Sequence, residues 1–173
     1  MGHCILTGFI ATGKTSVGKL VAATLRCPFY DLDAAIVLAT GRAVAEIFAN
    51  DGEAVFRALE RTHLPRLLSA PTGVIATGGG TALDPQNVAR MSAAGRVIAL
   101  NAAPHLVWER LRAESPPTAR PLLPAPFDAA QVARLWETRA PSYAQFPDQL
   151  DTSDVTPADV AACVVEMLRG VAA

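Results

Sequence analysis

The chain's 173 residues suit one compact domain and are few for two, since domains mostly run to about 100–150 residues. With 51% apolar and 18% charged residues it holds enough core-forming side chains to exclude a disordered chain. A formal net charge of -1 excludes the broad basic surface that non-specific binding to nucleic acid or an anionic membrane requires.

Short apolar runs alternate with helical patterns along the chain. Residues 3–7 are predicted to form a buried strand, and 15–26 a helix with Val17, Leu20, Val21 and Leu25 on one face. Pro28 stops that helix, a second short strand covers 29–31, and a helix covers 33–39 until Gly41. A longer amphipathic segment follows over 43–68, with a break expected near Asp51-Gly52. A third strand over 74–77 runs into three glycines. A helix over 85–94, a strand over 96–100 and a helix over 104–114 come next. The last expected elements are a strand over 148–152 and a helix over 157–169, with proline in its first turn. Such alternation predicts an α/β fold with a parallel sheet covered on both faces. The stretch 115–126 holds five of the thirteen prolines and flanks Arg120, so it is expected to be an irregular loop of the kind that forms lids.

Gly8-Phe9-Ile10-Ala11-Thr12-Gly13-Lys14-Thr15 fits G-x-x-x-x-G-K-[ST], with an apolar strand before it and an amphipathic helix after it. Glycines let the backbone curl so that successive N–H groups of 11–16, Ala11 to Ser16, point at one phosphate at the positive end of a helix dipole. Lys14 is then placed to neutralise the β- and γ-phosphates, and the hydroxyl of Thr15 to ligate Mg²⁺. A chance match in a glycine- and alanine-rich chain is the competing account; the two correct flanks argue against it. The nucleotide is therefore expected to be a triphosphate such as ATP. The guanine-reading N-K-x-D of GTPases is missing, and the only lysines are Lys14 and Lys19.

Asp31-Leu32-Asp33 follows the second strand, at the sheet end where open α/β folds bind ligands. Alternate residues point opposite ways, so Asp31 can serve the Mg²⁺ shell while Asp33 accepts a hydrogen bond from an acceptor hydroxyl and assists its deprotonation. Asp33 can equally cap the helix that follows it. Arg57 and Glu60 stand one helical turn apart, either as an exposed ion pair or as a braced guanidinium that grips a carboxylate. Gly78-Gly79-Gly80 presents bare backbone that a ligand can approach closely. Arg120 in the lid and Arg139 near Pro141-Ser142-Tyr143 complete the candidates; a lid arginine can stabilise a transferring phosphoryl group.

The three cysteines, Cys4, Cys27 and Cys163, form no C-x-x-C pair, which favours reduced thiols over a disulfide framework or a zinc site. No window reaches the ~20 apolar residues of a membrane span, and the N-terminus carries no cationic leader, so a cytoplasmic protein is expected.

Together these segments resemble the shikimate kinase family. The likeness rests on the P-loop, Asp31-Leu32-Asp33, Glu46-Ile47-Phe48, Gly52-Glu53 with Phe56-Arg57 and Glu60, and Ala76-Thr77-Gly78-Gly79-Gly80. It continues through Arg120-Pro121-Leu122-Leu123 and Arg139-Ala140-Pro141-Ser142-Tyr143, in the family's order and across nearly the whole chain. The resemblance implies a single three-layer, nucleoside-monophosphate-kinase-like domain over 1–173, with a five-stranded parallel sheet in order 2-3-1-4-5. It implies an acceptor-binding helical segment at about 33–62 and a lid at about 114–126. The activity it implies is transfer of the ATP γ-phosphate to the 3-hydroxyl of shikimate, on the way to chorismate and the aromatic amino acids, by a monomer. By the family's pattern Asp33 and the backbone of Gly78–Gly80, Gly79 above all, hold shikimate, Arg57 and Arg139 clamp its carboxylate, Arg120 reaches the ATP phosphates, and Thr15 binds Mg²⁺.

Three positions depart from the family pattern: Ala11 in place of a frequent glycine, Val37 in place of a frequent glutamate, and Ser153-Asp154-Val155 where an adenine contact is often found. Arg110 and Arg112 both precede the lid, and either can stack on adenine. Two other readings compete, a gluconate-kinase-like enzyme acting on another carboxylated polyol and an ATP-binding module without transfer activity.

Overall fold

The computed structural model describes residues 2–113, 121–123 and 126–170. Its sheet has five parallel strands: β1 (His3–Gly8), β2 (Phe29–Asp31), β3 (Val74–Ala76), β4 (Gly95–Asn101) and β5 (Asp148–Asp151). They lie in the order β2-β3-β1-β4-β5, the expected topology. Every connection between strands is long enough for a crossover helix, supplied by α1 (Lys14–Leu25), α2 (Leu32–Thr40), α3 (Val44–Leu68), α4 (Pro85–Ala94), α5 (Pro104–Ala113) and α6 (Ala129–Ala144), and α7 (Pro157–Arg169) follows the last strand. A short 3₁₀ turn, Thr81–Leu83, sits between β3 and α4.

The side chains of β1 alternate between two cores. Ile5 packs with Leu32, Ile36, Phe56, Leu64 and Val107 on one face, while Cys4 and Leu6 pack with Val17, Val21, Val160 and Val164 on the other. Burying β1 on both faces fixes its register in the middle of the sheet. The loops after β1 and β3, its neighbour, therefore open at the same end, and the candidate site lies there.

Two sequence expectations change. Asp31, not Asp33, caps α2: its Oδ1 accepts from the Ala34 N–H at 3.1 Å. Asp33 lies inside the first turn, and its carboxylate is left for the site. The second change is α6, which the sequence reading leaves unassigned. A reciprocal capping box opens it, the Asp128 carboxylate accepting from the Gln131 N–H while the Gln131 side chain accepts from the Asp128 N–H. The expected break in the long helical segment is real: Gly52 has φ 82° and ψ 171°, outside the helical region, and kinks α3 there. Among the described residues no helix is long and apolar enough to cross a membrane.

Candidate active site

The loop from Gly8 to Gly13 joins β1 to α1 and closes on itself. Thr12 Oγ1 donates to the Phe9 carbonyl at 2.8 Å, and Lys14 Nζ donates to the carbonyls of Gly8 and Phe9 at 2.9 and 2.6 Å. Gly13, at φ 90°, precedes α1 and offers no side-chain cap, so the first N–H groups of the helix open into the cavity above the loop. That arrangement is an anion site. Ala11 holds the left-handed backbone at φ 54°, so the loop keeps its shape without glycine there, at a cost of about 1–2 kcal/mol. Arg110 pins it in place, Nη1 donating to the Ala11 carbonyl at 3.2 Å and to Thr152 Oγ1 at 3.1 Å. Its Nη2 donates to the carbonyls of Thr152 and Ser153.

A cavity of about 390 Å³ beside the loop is walled by Ala11, Thr12, Gly13, Ser16, Arg110 and Val155, among others. Arg110 is thus the arginine on the nucleotide side, whereas Arg112 lays its guanidinium over Trp108, 5.5 Å from the ring centre. Val155 gives this cavity an apolar wall. The departure at Val37 stands exposed on α2 and is not among the residues lining the cavity around Arg57 and Arg139.

Asp31 joins the nucleotide side to α2. While Oδ1 caps the helix, Oδ2 accepts from Thr15 Oγ1 at 2.8 Å. Two hard oxygen donors side by side, facing a cavity that also holds Lys14, fit Mg²⁺, which binds through one or two protein oxygens and keeps several waters and phosphate oxygens.

Across the wall of Ile10, Asp33 and Gly79 lies a second cavity of about 200 Å³, lined also by Val44, Phe48, Phe56, Arg57, Arg139 and Pro121–Leu123. Arg57 is its centre. Its Nη1 donates to Glu60 Oε2 at 2.6 Å, and its Nε and Nη2 donate to Glu53 Oε1 at 3.1 and 2.7 Å. Glu60 has no exposure and the Arg57 side chain only 16%, so the pair is not the exposed ion pair that the spacing alone allowed. The guanidinium also sits 5.9 and 5.6 Å from the ring centres of Phe48 and Phe56. Burial works to lower the Arg57 pKa, but Glu60 and Glu53 outweigh it and raise it.

Arg139, buried on α6, reaches the same place. Its Nη1 donates to the Gly79 carbonyl at 3.3 Å and its Nη2 lies 3.7 Å from Glu53 Oε1. Burial, with Arg57 close by, lowers its pKa. Tyr143, one turn further along α6, also donates to the Gly79 carbonyl. Glu53 belongs to the segments that carry the family likeness but had no role assigned there; the structure makes it the residue that both arginines share.

The glycine run explains itself sterically. A Cβ on Gly80 would overlap the Arg57 guanidinium, and one on Gly78 would stand 2.7 Å from Asp33 Oδ1 and 2.8 Å from Glu60 Oε1. The bare backbone is approached by the protein's own charged side chains. Asp33 Oδ1 is buried and has no hydrogen-bond partner among the described residues. Burial, reinforced by Asp31 and Glu60, raises the Asp33 pKa to about 6, so it remains an acceptor at neutral pH.

Among the candidates, Ala11, Thr12, Gly13, Lys14, Thr15, Ser16 and Asp31 come together on the nucleotide side. Arg57, Gly78, Gly79, Gly80 and Arg139 gather in the second cavity, and Asp33 stands between the two. Arg120 and most of the proline-rich lid fall outside the described residues; Pro121, Leu122 and Leu123 line the second cavity.

A family model described as shikimate kinase matches residues 10–169. A shikimate kinase from Thermodesulfovibrio yellowstonii is 37% identical over 166 residues, covering 96% of this chain and 94% of the relative. One from Caldanaerobacter subterraneus is 39% identical over 165 residues, covering 95% of each. Among solved structures, shikimate kinase from Acinetobacter baumannii in complex with shikimate superposes with a TM-score of 0.90 at 28% identity, over 98% of this chain and 94% of that one. A gluconokinase from Sinorhizobium meliloti, with a TM-score of 0.62 at 15% identity, over 99% of this chain and 93% of that one, shares the fold alone. Matched almost from end to end, the chain belongs to the shikimate kinase family.

Proposed function

We propose that this chain transfers the γ-phosphoryl group of ATP to the 3-hydroxyl of shikimate. The observation that carries the reading is the wall between the two cavities. Asp33 lines both the acceptor cavity and the cavity that holds Lys14, Thr15 and Asp31, with a buried oxygen that has no partner among the described residues, and the Arg57–Arg139 pair stands on the acceptor side. A small carboxylated polyol fits that division. Its carboxylate meets the two guanidinium groups, and a ring hydroxyl meets Asp33.

In this mechanism the P-loop N–H groups and Lys14 hold the triphosphate, and the acceptor hydroxyl donates to Asp33 Oδ1, which aims the hydroxyl oxygen at the γ-phosphorus and takes the proton as the new P–O bond forms. The bond from the γ-phosphorus to the bridging oxygen breaks, and that oxygen leaves with ADP. Thr15 and Asp31 would hold Mg²⁺ on the nucleotide side, where it would supply charge neutralisation for the phosphate oxygens. Arg110 closes the nucleotide cavity. Arg120, outside the described residues, takes from the family pattern the role of covering the transferred group. The acceptor-binding segment spans about 33–62 and the lid about 114–126 of a single domain over 1–173, which acts as a monomer in the cytoplasm.

The test is ADP release with ATP and Mg²⁺, comparing shikimate, gluconate and no acceptor. Saturable release that depends on shikimate is the expected result, and Lys14→Ala removes it. Release with gluconate but not shikimate, or ATP binding without release under any condition, overturns the reading.

A further inference from the structure

Arg57 is braced by Glu60, and Glu60 is itself braced by a residue to which neither the sequence pattern nor the proposed mechanism assigns a role. Glu60 is fully buried, and its two oxygens are divided between two donors: Oε2 accepts from Arg57 Nη1 at 2.6 Å and Oε1 accepts from Thr81 Oγ1 at 2.5 Å. Thr81 is fully buried too, at the first position of the 3₁₀ turn after the glycine run. Its backbone is tied on both sides, its N–H donating to the Gly78 carbonyl at 3.2 Å and its carbonyl accepting from the buried Asn87 Nδ2 at 3.4 Å. The hydroxyl is therefore delivered to one point, and that point is the Glu60 oxygen turned away from Arg57.

We propose that Thr81 is a positioning residue of the acceptor site, acting through Glu60 on the Arg57 guanidinium; the proposal rests on the acceptor reading given above. A buried carboxylate has only acceptor sites and holds its orientation through the donors around it. Without the Thr81 proton, Oε1 is a buried oxygen with no donor. It then faces the partnerless Asp33 Oδ1 across Gly78, both oxygens lying within 3 Å of where a Cβ on Gly78 would stand. Two carboxylate oxygens so placed repel, and the Glu60 group turns away from the arrangement that aims Arg57 at the acceptor. Thr81 thus keeps the brace on the arginine and leaves Asp33 to the acceptor hydroxyl. Threonine suits the position because its methyl fills buried space while its hydroxyl points one way.

The experiment separates this role from plain packing with two substitutions of opposite kind. Thr81→Val keeps the volume and deletes the proton donor; Thr81→Ser keeps the donor and deletes the methyl. The expected result for Thr81→Val is a shikimate KM raised roughly tenfold, about the value of one charge-assisted hydrogen bond, with ATP KM and saturated kcat within about twofold of the parent. Thr81→Ser is expected to restore the parent KM, and Thr81→Val added to Glu60→Gln to raise KM no further. A serine variant as impaired as the valine one, equal shifts in both KM values, or full additivity with Glu60→Gln overturns the proposal. Should the parent show no shikimate-dependent release, the acceptor reading fails on its own. The same pair of substitutions is then read by denaturant midpoint, where non-additivity supports the Thr81–Glu60 coupling and additivity removes it.

Discussion

Replacing Arg57 separates what the buried ion pair does for stability from what it does for binding. Arg57→Met keeps an unbranched stem against Phe48 and Phe56 but leaves the Glu60 carboxylate, which has no exposure, with Thr81 as its remaining hydrogen-bond donor. Stranding a buried charge costs roughly 3–5 kcal/mol, and the surviving Thr81 bond places the expected loss at about 3 kcal/mol. Arg57→Met combined with Glu60→Gln removes both charges and keeps a polar group for Thr81, so the double variant is expected within about 1 kcal/mol of the parent. Function follows another course. On the proposed acceptor reading both variants lose the fork for the acceptor carboxylate, a loss of about 3 kcal/mol, so the shikimate KM is expected to rise somewhat more than a hundredfold in each. Urea unfolding at neutral pH gives the stabilities, from midpoints at constant slope, and ADP release gives KM. The reasoning is refuted if the single variant unfolds at the parent's midpoint, or if the double variant is no more stable than the single one.

Other expectations follow from single contacts. Gly80→Ala puts a Cβ where the Arg57 guanidinium lies; because the far end of a side chain can move aside, stability changes by less than about 1 kcal/mol while shikimate KM rises about tenfold. Parent-like KM in that variant refutes the close approach. Arg110→Ala frees the Ala11 carbonyl and the Thr152–Ser153 segment together, so ATP KM rises about tenfold with the shikimate KM unmoved. A rise in both places Arg110 elsewhere in the mechanism. Arg96 pairs with Asp148 between β4 and β5 at 2.7 Å, and the hydrogen bond from Arg96 holds the Asp148 pKa below its usual value. A depressed carboxylate pKa contributes stability above the usual pKa and loses it as pH falls through the folded value. Arg96→Ala is therefore expected to cost about 0.5–1 kcal/mol at pH 7, with the Asp148 part of that cost shrinking as the pH falls below the ordinary aspartate range; a difference that does not change with pH refutes the link.

The fold was largely legible because β1 and the P-loop carry both a strong period and a strong motif, and the elements after them alternate cleanly. The helix α6 was hidden because Pro141 sits inside it and its apolar stripe is thin. The Asp128-x-x-Gln131 capping box was the available signal. Asp31 was readable as a nucleotide-side residue but not as the cap of α2, because only the backbone direction decides which of two aspartates meets the Ala34 N–H. Spacing also leaves burial open. Arg57 and Glu60 look like any surface pair until the packing of α3 places Glu60 behind the glycine run. Glu53 stands four residues before Arg57, a spacing at which helix side chains meet, but nothing local in the sequence connects it, across the chain, to Arg139.

The sharing of Glu53 has a consequence for how a ligand arrives. Two arginines stand against two glutamates at the carboxylate end of the acceptor cavity, so that end is electrically balanced before any anion enters. Such a patch exerts little pull at distance, and the chain as a whole, at -1, adds none. On the proposed acceptor reading, an incoming carboxylate is attracted only in the last few ångströms, once it competes with Glu53 for the same guanidinium edges. The association rate is then nearly independent of ionic strength, and discrimination among carboxylates resides in how slowly the right one leaves.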